Sequence, residues 1–256
     1  MSKKDVIVYG IRPVFEILNS NLTLKKVWVE QGKVEERKQE LQDLCLKKNV
    51  ELLEKSGRFL HNLCGQENHQ GLVASYIPKQ SELCFESSST PRTGSSWLCV
   101  YLDRIQDPHN FGAIVRSSEF FGADQIFYPE HHAAPWNEVA MKASAGAGAH
   151  NPPFKVSAVT TFFEQLQARG FQIVGALPDA PMKAEAFDFT KDTVLLIGHE
   201  GEGLSEKLRK TCTAFVQIPQ VGQIESLNAS VSAGILLYEI QRQRSLNSVD
   251  NKNTIR

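Results

Sequence analysis

Residues 97–122 read WLCVYLDRIQDPHNFGAIVRSSEFFG. The first seven, Trp97 to Asp103, form a nearly continuous apolar run, which is how a strand covered on both faces reads. After Asp107 the pattern changes. Phe111, Ile114, Val115, Ser118 and Phe121 recur at helical spacing and stop at Gly122. A buried strand followed at once by a helix is one unit of a parallel α/β sheet. The unit repeats downstream. QIFYP (125–129), FKVS (154–157), FQIVGAL (171–177), TVLLIG (193–198) and AFVQIP (214–219) predict further strands. Helical patterns lie at 136–145, 158–169, 204–211 and 226–244. The alternation predicts a mostly parallel sheet with helices on both faces. Ligands of such sheets bind beyond the carboxyl ends of the strands.

Upstream, residues 87–96 read SSSTPRTGSS and contain no apolar side chain. Their Ser, Gly and Pro content predicts a flexible linker. A long surface loop within one domain is the alternative. The linker reading divides the chain into a first domain at 1–80, a linker at 81–96, a second domain at 97–247 and a polar tail at 248–256. The first domain is a small α/β layer. VIVYG (6–10), KKVWVE (25–30), VELLE (50–54) and GLVASYI (71–77) read as strands. A helical pattern opens at Arg12-Pro13 and continues through Val14, Ile17 and Leu18. Another covers 34–48 with Leu41, Leu44 and Cys45 on one face, and a short one lies near 56–63.

The 256 residues are 41% hydrophobic and 22% charged, which excludes disordered, collagen-like and disulfide-knot classes. No apolar run approaches the roughly 20 residues needed to cross a membrane, so no membrane partner is expected. The N-terminus lacks the apolar stretch of a secretory signal. The five cysteines are odd in number and form no C-x-x-C pair, which points to a reducing cytoplasm. A net charge of −1 gives no bulk argument for nucleic acid. Residues 1–75 carry 12 Lys/Arg against 10 Asp/Glu, so the first domain is only mildly basic.

Three loops carry candidate chemistry. Asp107–Ser117, DPHNFGAIVRS, follows a buried strand and opens a helix. It reads as a capped helix start. It also reads as an anion clamp, with Arg116 beside a helix N-terminus and Gly112 allowing close approach by another backbone or a ligand. Leu196–Ser205, LIGHEGEGLS, alternates three glycines after an apolar strand. This is a plain turn, or a backbone loop that approaches a ligand. It matches neither the phosphate-binding nor the dinucleotide-binding glycine pattern. Its carboxylates suit a ligand bearing a cation, an amine or ribose hydroxyls. Ile218–Ser230, IPQVGQIESLNAS, ends a strand and sets Ser226 and Asn228 at the head of a long helix, with Ser226 the natural cap. No H-x-x-x-H or H-E-x-x-H spacing indicates zinc, and no G-x-S-x-G elbow indicates a serine hydrolase. The loops imply a small-molecule ligand and a phosphate-bearing partner.

In this order, DPHNFGAIVRS, IGHEGEGLS and IPQVGQIESLNASVSAG resemble the three motifs of the SpoU (TrmH-like) branch of the SPOUT RNA methyltransferases. VYGIRPVFEIL and NHQGLVAS resemble that family's small substrate-binding domain, which is similar to ribosomal protein L30e. The resemblance covers nearly the whole chain. It implies an α/β chain whose C-terminal domain is a trefoil knot and whose N-terminal domain is L30e-like. It implies a cytoplasmic homodimer joined through the knotted domain, with RNA as partner. S-adenosylmethionine (SAM) is the implied methyl donor, and no metal is needed. The nearest subgroup methylates a guanosine 2′-hydroxyl of 23S ribosomal RNA. A transfer-RNA ribose methyltransferase and a non-catalytic RNA-binding homologue are the alternatives.

By matching positions, the resemblance implies SAM contacts at Gly198, Ile218 and Leu227, with backbone near Leu177. It sets Asn110, Arg116, Glu200, Ser226 and Asn228 around the reacting groups. Arg12, Lys25 and Lys26 are the expected RNA contacts of the first domain. His199, Gln220 and Ser117-Ser118 depart from the commoner Ser, Met and Thr-Ala. Arg116 is read as a phosphate clamp and oxyanion stabiliser, since a guanidinium stays protonated and is a poor base. Asn110 and Glu200 are expected to orient it, while Ser226 and Asn228 shape the ribose pocket.

Overall fold

The computed structural model describes residues 5–66, 68–78, 83, 85, 90–93 and 96–253. The first domain runs β1 (Val6–Tyr9), α1 (Ile11–Asn19), β2 (Thr23–Glu30), α2 (Lys38–Lys47), β3 (Glu51–Lys55), α3 (Gly57–Cys64) and β4 (Leu72–Ile77). Its sheet has the order β1-β4-β2-β3, with β2 and β3 parallel and the other pairs antiparallel. Alternate side chains leave opposite faces. Val8, Val27 and Ala74 meet Val14, Ile17 and Leu41 of α1 and α2. Tyr9, Trp28 and Val73 meet Leu60 and Cys64 of α3. The register of β2 slips between Leu24 and Lys26, where β2 pairs with β4. This bulge breaks strict alternation and leaves both Lys25 and Lys26 exposed.

The second domain contains β5 (Leu98–Leu102), α4 (Pro108–Phe120), β6 (Gln125–Pro129), α5 (Glu138–Ala143), β7 (Phe154–Val156) and α6 (Val159–Ala168). It continues with β8 (Gln172–Ala176), β9 (Met182–Lys183), β10 (Thr193–Ile197), α7 (Glu206–Arg209), β11 (Ala214–Gln217) and α8 (Ala229–Asn253). The sheet order is β7-β6-β5-β10-β8-β11-β9, and every pair is parallel. Leu98, Val100 and Leu102 face α4 and α8, while Cys99 and Tyr101 face α6. The expected strands and helices are present. The two-residue strand β9 was not expected, because two residues are too few to show a period.

The chain walks outward from β5 to β6 and β7, then returns to the other side of β5. Between β5 and β10 the direction of winding reverses. The loop after β5 leads to α4 on one face and the loop after β10 leads to α7 on the other. Such a switch point opens a crevice at the carboxyl ends of the strands.

Of the two readings of Gly112, the close approach is to another backbone, that of α5: a Cβ there would lie 2.4 Å from the Ala140 carbonyl oxygen and 2.5 Å from Ala143 Cβ. One expectation about the helices is corrected. The last helix begins at Ala229, not near Ser226, and continues through residues 248–253 of the polar tail. Asn228 caps it, accepting from the backbone N–H groups of Ser230 (2.8 Å) and Val231 (3.4 Å).

The domains meet along α5 and the turn after it. Met141 and Ala149 join the apolar core of the first domain. Lys142 donates to the Asn68 carbonyl (2.6 Å) and lies over the Tyr9 ring. Within 81–96, the described residues rest on the second domain. Phe85 packs on Phe127 and Phe171, and Arg92 pairs with Glu119.

Candidate active site

Loops after β8, β10 and β11 and the first turn of α8 enclose a cavity of about 500 Å³. Ligand sites in general occupy about 300–1,000 Å³. Leu177, Val216, Ile218 and Leu227 supply an apolar wall, and the 198–203 loop supplies glycine backbone and carboxylates. Local chemistry explains that loop. His199 and Gly203 pair across it, N–H to carbonyl in both directions (3.1 and 2.9 Å). A Cβ on Gly198 would stand 2.4 Å from the Gly203 carbonyl carbon, so the turn closes only on glycine. Gly203 has a φ of +64°, in the left-handed region. His199 Nδ1 accepts from the N–H groups of Gly201 (3.1 Å) and Glu202 (3.2 Å). The histidine thus caps the turn.

The loop is also held from outside. Asp103, buried at the end of β5, accepts from Ser205 N–H (2.6 Å). Arg104 pairs with Glu202, lies 3.6 Å from Asp103 and donates to the Gly203 carbonyl (3.3 Å). Its φ of +58° is costly for a side chain of this size and aims the guanidinium across the switch point. Nothing in the sequence pattern singled out Asp103 or Arg104, because their partners lie about a hundred residues away.

A hydrogen-bonded relay joins the three loops. Glu200 accepts from Asn110 Nδ2 (2.7 Å), Asn110 Oδ1 accepts from Asn228 Nδ2 (3.1 Å), and Asn228 Oδ1 accepts from the head of α8. Both ends fix its polarity. A carboxylate only accepts and a helix N-terminus only donates, so each amide has one permitted orientation. Asp107 caps α4 through His109 N–H (2.9 Å), with Pro108 at the first helical position. The relay therefore sits between two helix N-termini, a setting that favours negative charge.

The structure brings most of the expected residues together. Gly198, Ile218, Leu227 and Leu177 all line the cavity, as do Glu200 and Ser226. Asn110 and Asn228 stand behind Glu200 in the relay. Arg116 stands apart. It is exposed on α4, about 240° around the helix from Asn110. The expectation that Asn110 and Glu200 orient Arg116 is corrected, since their polar atoms bond each other and Asn228. Ser226 is exposed in the segment before α8 and does not cap it. In the first domain, Lys25 and Lys26 lie beside Ser75 and Tyr76, whereas Arg12 follows Tyr9 at the opposite end of β1. They do not form one patch.

Cys212 is close to this region, but burial pushes its thiol up to about 12, so it stays protonated at neutral pH and is no nucleophile. Among the described residues, no group of three His, Cys, Asp or Glu is placed to hold a metal ion. No described helix is long and apolar enough to cross a membrane.

Comparison with known proteins agrees with this geometry. Residues 97–238 match the SpoU rRNA Methylase family, and residues 7–82 match the RNA 2′-O ribose methyltransferase substrate-binding family. The chain is 33% identical over 240 residues to the 23S rRNA (guanosine-2′-O-)-methyltransferase RlmB of Coxiella burnetii, covering 93% of this chain and 95% of that one. The SpoU methyltransferase AviRb of Streptomyces viridochromogenes, solved with AdoMet, is 27% identical with a TM-score of 0.78, over 94% of this chain and 90% of that one. A TrmH/SpoU tRNA modifying enzyme of A. aeolicus is 33% identical with a TM-score of 0.53, over 61% of this chain and 80% of that one. The second domain has the SPOUT methyltransferase fold that its motifs implied.

Proposed function

We propose, from the premise that this chain belongs to the SpoU rRNA methylase family and is a SAM-dependent RNA 2′-O-methyltransferase, that it methylates a guanosine ribose in 23S ribosomal RNA. The observation that carries this reading is the match to the C. burnetii enzyme over 93% of the chain, both domains included. The likeness to the A. aeolicus tRNA enzyme covers only 61%.

The cavity fits SAM chemically. Leu177, Ile218 and Leu227 would flank the adenine, and Gly198 backbone would lie against the nucleoside. The carboxylates around the cavity suit the donor's positive charges. When bound, SAM supplies an electrophilic methyl group on a good leaving sulfur. The task left to the protein is positional: a ribose oxygen about 3–3.5 Å from the methyl carbon, in line, with its charge stabilised as the proton departs. The Glu200–Asn110–Asn228 relay provides a rigid polar edge for the ribose, with Ser226 beside it. Arg116, exposed and unpaired among the described residues, clamps the nucleotide's phosphate and offsets the developing negative charge on oxygen. Lys25, Lys26 and Arg12 hold flanking RNA.

The active form is a homodimer joined through the second domain. An apolar face supports this. Phe120 is 81% exposed on α4, and Val231, Ile235 and Tyr238 are 48%, 41% and 57% exposed on α8. Arg116 and Phe120 are one helical turn apart, so closing this face brings Arg116 to the seam. A cytoplasmic location accords with the reduced thiols of Cys45, Cys64 and Cys212.

The test uses the purified full-length protein, SAM with a labelled methyl group, and protein-free 23S RNA, followed by alkaline hydrolysis. A 2′-O-methyl group blocks attack on the neighbouring phosphate, so the expected result is label in an alkali-resistant dinucleotide beginning with guanosine. Label in transfer RNA and none in 23S RNA would overturn the substrate reading.

A further inference from the structure

Arg209 is the one arginine or lysine among the described residues lining the cofactor cavity, where Glu200, Glu202 and Glu225 supply three carboxylates. Two of these are engaged, Glu200 by Asn110 and Glu202 by Arg104. The two arginines beside the glycine loop do different things. Arg104 is taken up by Asp103, Glu202 and the Gly203 carbonyl. Arg209 is anchored by one bond, Nε to the Leu204 carbonyl at 3.1 Å, and its terminal nitrogens have no protein partner among the described residues. That single bond fixes the guanidinium plane and leaves its outer edge free, the edge that takes a carboxylate in two parallel hydrogen bonds.

The space beside it is kept open by Gly203. A Cβ there would stand 3.7 Å from Arg209 Nη2 and 3.9 Å from Leu177 Cδ2, so a longer side chain would fill the gap between them. Arg209 therefore adjoins the apolar wall expected to hold the nucleoside. The methyl donor itself carries a sulfonium, an ammonium and one carboxylate. A cavity rich in carboxylates answers the two cations, and the carboxylate calls for a donor.

We propose that Arg209 receives the methionyl carboxylate of SAM through its terminal nitrogens and makes that carboxylate a condition of tight binding. The inference rests on SAM as methyl donor. It is tested by equilibrium binding of SAM and of decarboxylated SAM to full-length wild type, Arg209→Gln and Arg209→Lys. Wild type is expected to prefer SAM by about 10- to 100-fold, the range for losing a charge-assisted partner. In Arg209→Gln the preference disappears: SAM weakens by that factor, and decarboxylated SAM stays within about twofold. Arg209→Lys keeps the charge, loses the fork and falls between them, and it carries the test if the glutamine variant does not fold. A merely structural role, through the Leu204 carbonyl, would weaken both ligands equally. That result, or unchanged SAM affinity in both variants, overturns the proposal. Wild-type protein binding neither ligand would instead overturn the reading of the donor, before any variant is compared.

Discussion

Asn228 does two jobs, and two substitutions separate them. Its Oδ1 caps α8, and its Nδ2 donates to Asn110. Asn228→Ala removes both. Loss of such a cap costs about 1 kcal/mol, which for a chain of this size lowers Tm by roughly 2–4 °C. Asn228→Asp retains an acceptor at the cap and adds negative charge at a helix N-terminus, so Tm is expected to hold or rise. The aspartate has no N–H for Asn110. Asn110 then stands between two carboxylates, and its one amide group faces both with the donor side turned to only one of them. The relay loses a hydrogen bond and gains repulsion at the ribose edge. Turnover at saturating SAM is expected to fall by at least about tenfold, equivalent to about 1.4 kcal/mol in the barrier. The assay pairs thermal unfolding with methyl transfer to RNA. Wild-type turnover in Asn228→Asp would show that the relay does not position the acceptor, and an unchanged Tm in Asn228→Ala would refute the cap.

Arg116→Ala is expected to leave SAM affinity within about twofold and to lower turnover by about 100-fold or more, as for removal of a transition-state charge stabiliser; near-normal methyl transfer would sink the assignment. Gly112→Ala forces a Cβ against the α5 backbone and should destabilise by about 1–3 kcal/mol, read as a lower midpoint in denaturant. Charge reversal at Lys25 and Lys26 together should weaken RNA binding uniformly across sequences and flatten its salt dependence by up to about one unit for each phosphate no longer neutralised; an unaltered slope removes these lysines from the RNA path. Val231→Glu with Tyr238→Glu should convert a dimer to a monomer in sedimentation, and an unchanged mass would place the interface elsewhere.

Much of the fold is legible because burial imposes a local period. Leu98, Val100 and Leu102 and the interleaved Cys99 and Tyr101 are apolar on both faces because α4 and α8 cover one side and α6 the other. Five apolar residues of the segment 226–244, expected to be one helix, show the limit of that signal. Periodicity identifies Leu227, Val231, Ile235, Leu236 and Ile240 alike, yet Leu236 and Ile240 are core while Val231 and Ile235 are exposed. An apolar side chain does not state what covers it. Lys25 and Lys26 make the converse point, since strict alternation would bury one of them and a bulge exposes both.

By itself the sequence determined the alternation of strands and helices, the positions of the three loops at strand ends, and the glycines that those loops require. These depend on hydrophobic period and backbone sterics, which act within a few residues. Long-range packing set the rest: Asn228 is the cap, Gly112 meets α5, Glu200, Asn110 and Asn228 form one relay, and Arg116 stands outside it. Through the same packing Arg104 and Arg209 meet the same glycine loop with different freedom. Those outcomes depend on which distant segments pack together, and on donors and acceptors that each need a partner once water is excluded.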